Sequence, residues 1–198
     1  MRDEDSSSWY FAFGSNMDSE TFINSRKMSP LSKEVARLPG FELLFDQKGI
    51  PVVEPAFASI RERKDSEVWG VLYKLSKEDF ERLHYTEGDS YEVRSIEVQG
   101  NVNGLIQCST YIGRESKPGL TPSRRYLRKL ISGAVQHELP DDYITKLKLY
   151  KSTYIPVASE IAGLIIKIFL WYSSKGKTVN LIVSKTGASY SAPEKKNV

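Results

Sequence analysis

The tripeptide Gly14-Ser-Asn16 ends an aromatic, apolar run and combines residue types that can bind a small ligand. Apolar residues that alternate and then break into this tripeptide predict a buried strand that leads into a tight turn. Glycine permits a sharp turn and a close approach of the backbone to a ligand. Asp18 or Ser19 predicts the start of a helix that extends to about Arg26, and its first turn offers free N–H groups. The segment could therefore hold an anion or a carbonyl group, although ordinary strand-to-helix connections use the same pattern.

Glu87 is the second candidate, because it lies where a predicted helix ends. The segment Ser76-Lys-Glu-Asp79 has the pattern of an N-terminal capping box, and Gly88 is placed as a C-terminal glycine cap. The negative end of the helix dipole and the neighbouring ring of Tyr85 both disfavour a charged carboxylate, which suits a general base. A glutamate at a helix end can also have no catalytic role.

Three blocks together resemble the γ-glutamylcyclotransferase family in order and spacing, over about residues 9–150. They are Tyr10-Phe-Ala-Phe-Gly-Ser-Asn16, Glu67-Val-Trp-Gly-Val-Leu-Tyr73 and Leu83-His-Tyr-Thr-Glu-Gly88. In that family the Gly-Ser-Asn loop holds the substrate and a glutamate before a glycine is the catalytic base, which the resemblance assigns to Glu87. A pocket tyrosine after a Pro-Ser pair matches Tyr126. The implied substrate-binding residues are Tyr10, Phe11, Ala12, Phe13, Gly14, Ser15, Asn16 and Tyr126.

Two positions depart from the family pattern. Phe13 stands where the family often has tyrosine, which keeps the ring and removes a hydroxyl. After Gly88 the chain reaches Tyr91 within three residues, whereas many relatives have a longer segment before an aromatic residue. Tyr91 is therefore either a pocket tyrosine or the first residue of a strand, and a shorter loop would change the side of the site that holds the leaving group.

The resemblance implies conversion of γ-glutamyl amino acids or peptides, in the chemistry of glutathione metabolism, to 5-oxoproline and a free amino acid. The α-amine of the substrate attacks its own γ-carbonyl, with Glu87 as base and then acid, and no metal or cofactor is required. One alternative is release of γ-glutamyl amines, such as γ-glutamyl-lysine or biosynthetic intermediates. A second is a binding module without activity on the same scaffold. A third is a hydrolase with Ser15 as nucleophile, which lacks the glycine frame of a nucleophile elbow.

Composition limits the remaining classes of function. The 198 residues are 40% hydrophobic and 27% charged, as expected for one soluble domain, and a net charge of +3 gives no indication of nucleic-acid binding. The single cysteine, Cys108, excludes an internal disulfide and fits a reducing compartment, and with only two histidines it predicts no structural metal site. No signal segment is visible, so we expect a cytoplasmic protein, with a homodimer as an open alternative to a monomer.

Hydrophobic patterning predicts many strands first and helices later, which favours an α+β fold: a small mixed-strand β-barrel with packed helices. Short strands are expected at 35–45, broken at Pro39-Gly40, and at 56–61 and 68–75. The remaining predicted elements are a hairpin of 91–98 and 105–112, with helices at 122–137 and 140–148. We expect a disordered tail at 1–8, a catalytic domain at 9–153 and an extension at 154–198. Its apolar stretch 161–171 is too short to span a membrane.

Overall fold

The computed structural model describes residues 7–51, 53–88 and 90–154. Its strands and helices, in chain order, are β1 Ser8–Ala12, β2 Ser32–Ile50, β3 Glu54–Leu75, α1 Lys77–Glu87, β4 Tyr91–Gly100, β5 Gly104–Gly113, α2 Arg124–Gln136 and α3 Asp141–Leu149. Two short helical segments, Ser15–Met17 and Glu20–Ser25, follow β1 and precede β2.

The strands of the described region close into a barrel in the order β1-β3-β2-β4-β5. Antiparallel pairing joins β1 to β3, β3 to β2, β2 to β4 and β4 to β5. The barrel closes between β1 and β5, which are parallel, with Tyr10 opposite Ser109. The predicted α+β fold, a small barrel of mixed strands with packed helices, is therefore confirmed.

The strands β2 and β3 are longer than the sequence pattern predicts. They form one antiparallel pair from Ile50↔Glu54 to Ser32↔Lys74, so the separate short strands predicted at 56–61 and 68–75 are wrong. The Pro39-Gly40 pair does not end β2, because a register shift between Pro39 and Phe41 accommodates it and Gly40 has a φ of 75°. The polar residues between the two predicted strands stay in the ladder of the hairpin.

The helical segment after the glycine turn has the predicted limits, with Ser19 as its N-cap residue and Arg26 as its C-cap residue, but it is a π-helical turn. Asp18 lies just before the Glu20–Ser25 turn, and its Oδ2 accepts hydrogen bonds from the backbone N–H of Thr21 at 3.0 Å and from its hydroxyl at 2.8 Å. Phe22 of this turn stacks on Tyr73 with ring centroids 4.4 Å apart. Aromatic packing therefore fixes the segment against the barrel. The predicted hairpin and the two later helices are present within one or two residues.

Helix α2 packs closely against the segment Ser15–Met17. A Cβ added at Gly133 of α2 would lie 2.6 Å from the backbone of Met17, so only glycine lets the two segments approach this far. Met17 and Leu130 are fully buried beside this contact. The approach of α2 therefore fixes the backbone that follows β1.

Several predictions lie outside the described residues. They are the predicted tail up to residue 6 and the predicted extension from residue 155 onward, with its apolar stretch 161–171. β1 begins at Ser8, one residue before the predicted start of the domain. Within the part of the chain that the structure describes, no helix combines the length and the apolar character needed to cross a bilayer.

The last described residues are joined to the start of α2, which predicts where the chain can be shortened. Thr153 N donates to Pro122 O at 2.8 Å, and Arg124 N donates to Thr153 O at 2.9 Å. A chain that ends at Tyr154 keeps this bridge, whereas a chain that ends at Ser152 loses it and should unfold at a lower urea concentration. Urea unfolding of both chains measures the difference. Equal midpoints would contradict a stabilising role for the bridge, and an unfolded 1–154 chain would contradict the predicted domain boundary.

Candidate active site

A cavity of about 240 Å³ lies beside the end of β1 and contains most of the predicted site residues. Its lining includes Arg26, Thr86 and Tyr111, which the sequence analysis did not single out. Phe11 and Ala12 do not line it, because both are buried within β1. The predicted residues that do line it are Tyr10, Phe13, Gly14, Ser15, Asn16, Glu87, Tyr91 and Tyr126.

Glu87 is held by two donors from the segment after β1. Asn16 Nδ2 donates to Glu87 Oε1 at 2.9 Å, and Arg26 Nη1 lies 3.2 Å from the same oxygen. The side chains of Arg26 and Glu87 are 9% and 10% exposed, so the ion pair is largely shielded from water. Arg26 also donates to the hydroxyl of Thr86 at 2.5 Å. The carboxylate is therefore fixed in position before any substrate binds.

The surroundings of Glu87 differ from those that the sequence predicts. Glu87 does end α1, and Gly88 follows with a φ of 67°, as expected for a glycine cap. Tyr85, however, is half exposed, and the tyrosines that share the cavity with Glu87 come from other elements. Arg26 places a positive charge 3.2 Å from Glu87 Oε1, and sequence reasoning did not include it.

Asn16 connects Glu87 to the barrel. Its Nδ2 also donates to the hydroxyl oxygen of Tyr10 at 2.7 Å. Two oxygens, Glu87 Oε1 and the hydroxyl of Tyr10, therefore face the NH₂ group of this amide. Asn16 Oδ1 is buried and has no hydrogen-bond partner among the described residues. A buried acceptor without a partner is costly, so this oxygen is suited to accept a hydrogen bond from a bound molecule.

Tyr126 closes the cavity on the side of the glycine turn. Its hydroxyl accepts a hydrogen bond from Ala58 N at 3.2 Å and is hydrogen-bonded to the side chain of Ser15. A Cβ added at Gly14 would lie 3.4 Å from this hydroxyl, so the turn passes directly beneath it. The ring of Phe57 packs edge-on against the ring of Tyr126, with the two ring centroids 5.2 Å apart. Burial raises the pKa of Tyr126 to about 12, so its hydroxyl is a neutral donor.

The other tyrosines of the cavity are also neutral. Burial is the largest cause that raises the pKa values of Tyr10, Tyr91 and Tyr111 above the ordinary value, and the charge of Glu87 acts in the same direction. Tyr91 is both the first residue of β4 and a residue of the cavity lining, so the two alternatives that its sequence position left open are both true. The cavity thus surrounds one carboxylate with hydroxyl groups that donate hydrogen bonds and do not act as bases.

The single cysteine and the two histidines do not line the cavity. Cys108 is buried in β5 outside the cavity lining, and burial raises the pKa of its thiol to about 12. His84 Nδ1 lies 3.3 Å from the hydroxyl of Tyr111, and His137 Nε2 lies 3.0 Å from Met17 O. In the described ranges no group of three His, Cys, Asp or Glu side chains could hold a metal ion.

Comparisons with known proteins agree with this architecture. The sequence profile of the AIG2-like family matches residues 67–147. The gamma-glutamylcyclotransferase of Mus musculus is 34% identical over 147 residues, which are 70% of this chain and 76% of that protein. The gamma-glutamyl cyclotransferase verK of Clonostachys rogersoniana is 31% identical over 149 residues, 62% of this chain and 83% of that protein. A solved gamma-glutamyl cyclotransferase is 31% identical with a TM-score of 0.68, covering 82% of this chain and 99% of that one.

The fold and the cavity define a class of protein: a small α+β barrel that encloses one glutamate beside a glycine turn. These similarities cover 70% and 82% of the chain at 34% and 31% identity. The chain belongs to the γ-glutamylcyclotransferase family.

Proposed function

We propose that this protein converts γ-glutamyl amino acids or peptides to 5-oxoproline and a free amino acid or peptide. The observation that carries the proposal is the Glu87 carboxylate, which Asn16 and Arg26 hold inside the cavity that the Gly14–Asn16 turn also lines. The names of the relatives at about 30% identity support the same reaction class.

The reaction is intramolecular. The α-ammonium group of the substrate gives a proton to Glu87, and the resulting amine attacks the γ-carbonyl carbon to close a five-membered ring. The C–N bond to the leaving group then breaks while Glu87 gives its proton to the leaving nitrogen. The second proton on the ring nitrogen passes to the released amine, so 5-oxoproline keeps one N–H and the leaving group ends as an ammonium ion. Nucleophile and electrophile belong to one molecule, so proximity supplies much of the acceleration once the substrate is held in a folded conformation.

Asn16 orients the substrate relative to Glu87. Its Nδ2 is committed to Glu87 and Tyr10, whereas Oδ1 is free among the described residues to accept a hydrogen bond. The α-ammonium group is the part of a γ-glutamyl substrate that must lie next to Glu87, and it carries N–H donors. The two ends of the Asn16 amide would therefore have two roles. Its Nδ2 fixes Glu87, and its Oδ1 would hold the α-ammonium group of the substrate beside Glu87.

The negative charge that develops on the γ-carbonyl oxygen needs hydrogen-bond donors. They must lie on the side of the forming five-membered ring that is opposite Glu87. The backbone N–H groups of Gly14 to Asn16 and the neutral hydroxyl of Tyr126 line that side of the cavity. Donors that are already in place stabilise an oxyanion without reorganisation during the reaction. Ser15 binds substrate in this scheme and forms no covalent intermediate.

The activity is tested by incubating the purified protein with γ-glutamyl-alanine, glutathione and ε-(γ-glutamyl)-lysine, and by measuring 5-oxoproline. We expect release from one or both of the first two compounds. Release from the lysine compound alone would instead favour the γ-glutamyl-amine reaction. Binding of these compounds without 5-oxoproline formation would contradict the proposal and favour a binding module.

Replacement of Ser15 with alanine tests the role of its hydroxyl. Loss of one hydrogen bond costs about 0.5–1.5 kcal/mol, so kcat/KM should fall by about 2- to 12-fold. Steady-state kinetics of 5-oxoproline release measures the change. Ser95→Ala on β4, a strand residue outside the cavity lining, is the matched control and should leave kcat/KM unchanged. A glutamyl adduct on Ser15 in mass spectra of the reacting protein would support the hydrolase alternative and contradict this role.

A further inference from the structure

Glu54 is completely buried at the start of β3, and it does not line the cavity. Its Oε1 accepts a hydrogen bond from Ser123 N at 3.2 Å, and its Oε2 forms an ion pair with the guanidinium group of Arg125. Burial raises the pKa of Glu54, and the contacts with Ser123 and Arg125 oppose that effect. Both carboxylate oxygens are thus committed to the beginning of α2.

The same strand makes a second contact with this end of α2. Ala58, four residues after Glu54, donates its N–H to the hydroxyl of Tyr126. Two positions of one strand, the side chain of Glu54 and the backbone N–H of Ala58, thus both contact the start of α2. At its other end Tyr126 is fixed by its own N–H, which donates to the hydroxyl of Ser123 at 3.0 Å. The backbone of Tyr126 and its hydroxyl are therefore both attached, directly or through Ser123, to β3.

The chemical nature of the Glu54–Arg125 pair indicates a role in orientation. A buried ion pair recovers the cost of dehydrating both charges only when its geometry is good, and apolar residues of similar size often give equal or greater stability. The pair orients α2, because it fixes the start of this helix to a single position on β3. Tyr126 is the residue of that first turn whose hydroxyl reaches the glycine turn of the cavity.

We propose that Glu54 and Arg125 are positioning residues that hold the Tyr126 hydroxyl in place over Gly14 and Ser15. This proposal rests on the proposed function, in which Tyr126 contacts the substrate. Neither residue of the pair is part of the cavity lining, so both would act on the reaction through the residues that they hold in place, chiefly Tyr126.

The test is a double-mutant cycle of Glu54→Gln with Tyr126→Phe. Glutamine can still accept the hydrogen bond from Ser123 but loses the charge that holds Arg125. A small misplacement of a catalytic donor lowers turnover more than binding, so we expect Glu54→Gln to reduce kcat by about tenfold with KM changed by less than about twofold. The double variant should be no slower than Tyr126→Phe alone, because residues that act through one another are not additive.

Glu67→Gln is the matched control, since Glu67 also pairs with an arginine, Arg37, but lies on the β2–β3 hairpin away from the cavity. We expect it to leave kcat unchanged. Additive losses in the double variant, or an equal loss in Glu67→Gln, would overturn the proposal and indicate a general effect on the fold. Arg125→Lys should recover part of the kcat lost in Arg125→Met, because it restores the charge.

Amide hydrogen exchange provides a readout that does not depend on turnover. Glu54→Gln should speed exchange in the first turn of α2, residues 123–127, and leave α3 unaffected. Unchanged exchange in this turn would overturn the positioning role even if activity falls. If the wild-type protein forms no 5-oxoproline, the proposed function fails, and hydrogen exchange still decides whether Glu54 holds Tyr126.

Discussion

Replacement of Glu87 with glutamine should abolish measurable 5-oxoproline formation while the protein remains folded. Glutamine has the same shape and keeps an oxygen that can face Asn16 and Arg26, but it cannot take the proton of the substrate ammonium group. Loss of a positioned general base costs about 10²–10⁴-fold in rate, and Glu87 is also the proposed acid for the leaving nitrogen. The measurement is kcat for γ-glutamyl-alanine, with circular dichroism to confirm the fold.

Glu81→Gln is the control for this variant, because Glu81 is an exposed residue of the same helix and does not line the cavity. It should retain the wild-type rate. A Glu87→Gln protein that releases 5-oxoproline at a near-normal rate would disprove the proposed mechanism, since no other carboxylate lines the described cavity.

Replacement of Arg26 with methionine should have the largest effect on stability among the variants of the site. Methionine fills similar space but leaves the Glu87 carboxylate without its cation in a place that is about 10% exposed. Breaking a buried ion pair by removing one partner costs about 3–5 kcal/mol, mostly because a charge remains without compensation. Urea unfolding measures the loss, and activity should fall with it because Glu87 is no longer fixed.

The double variant Arg26→Met with Glu87→Gln separates the two contributions. It leaves no unpaired charge, so we expect its free energy of unfolding to lie above that of Arg26→Met alone. Both proteins should be inactive. A double variant that is less stable than Arg26→Met would contradict the view that the unpaired Glu87 charge causes the destabilisation.

Local signals were sufficient to predict the parts of the site that depend on turns and caps. Gly14 to Asn16, the cap of α1 at Ser76 and Gly88, and the start of α2 at Ser123 all lie where their residue types predict. Family resemblance added the catalytic role of Glu87 and the choice of Tyr126, two residues that are far apart in sequence and line one cavity only in the folded barrel. The structure brings Tyr91 to the same cavity, which the sequence left undecided.

What sequence reasoning missed depends on long-range pairing. Arg26 lies 61 positions before Glu87, and nothing in its neighbours distinguishes it from a surface arginine at a helix end. The one available signal was indirect: a glutamate expected to be buried needs a cation or several donors. Glu54 is a similar case, because its partners Ser123 and Arg125 belong to a helix about seventy residues away. The continuous β2–β3 ladder was missed because its polar middle section pairs in a hairpin without an apolar pattern.

The parallel closure of the barrel sets the order in which this protein can become active during synthesis. β1 is made first, yet its neighbours β3 and β5 follow it by some sixty and a hundred positions, as the pairs Tyr10↔Tyr73 and Tyr10↔Ser109 record. A nascent chain that stops before β5 leaves one edge of β1 open, and such edges pair readily with other chains. Once β5 has paired with β1, the hydroxyl of Thr110 on β5 donates to Phe11 O on β1 at 2.8 Å. The cavity is lined by residues at the end of β1, by Tyr111 of β5 and by Tyr126 of α2. The site can therefore be complete only after β5 has closed the barrel and α2 has packed against it.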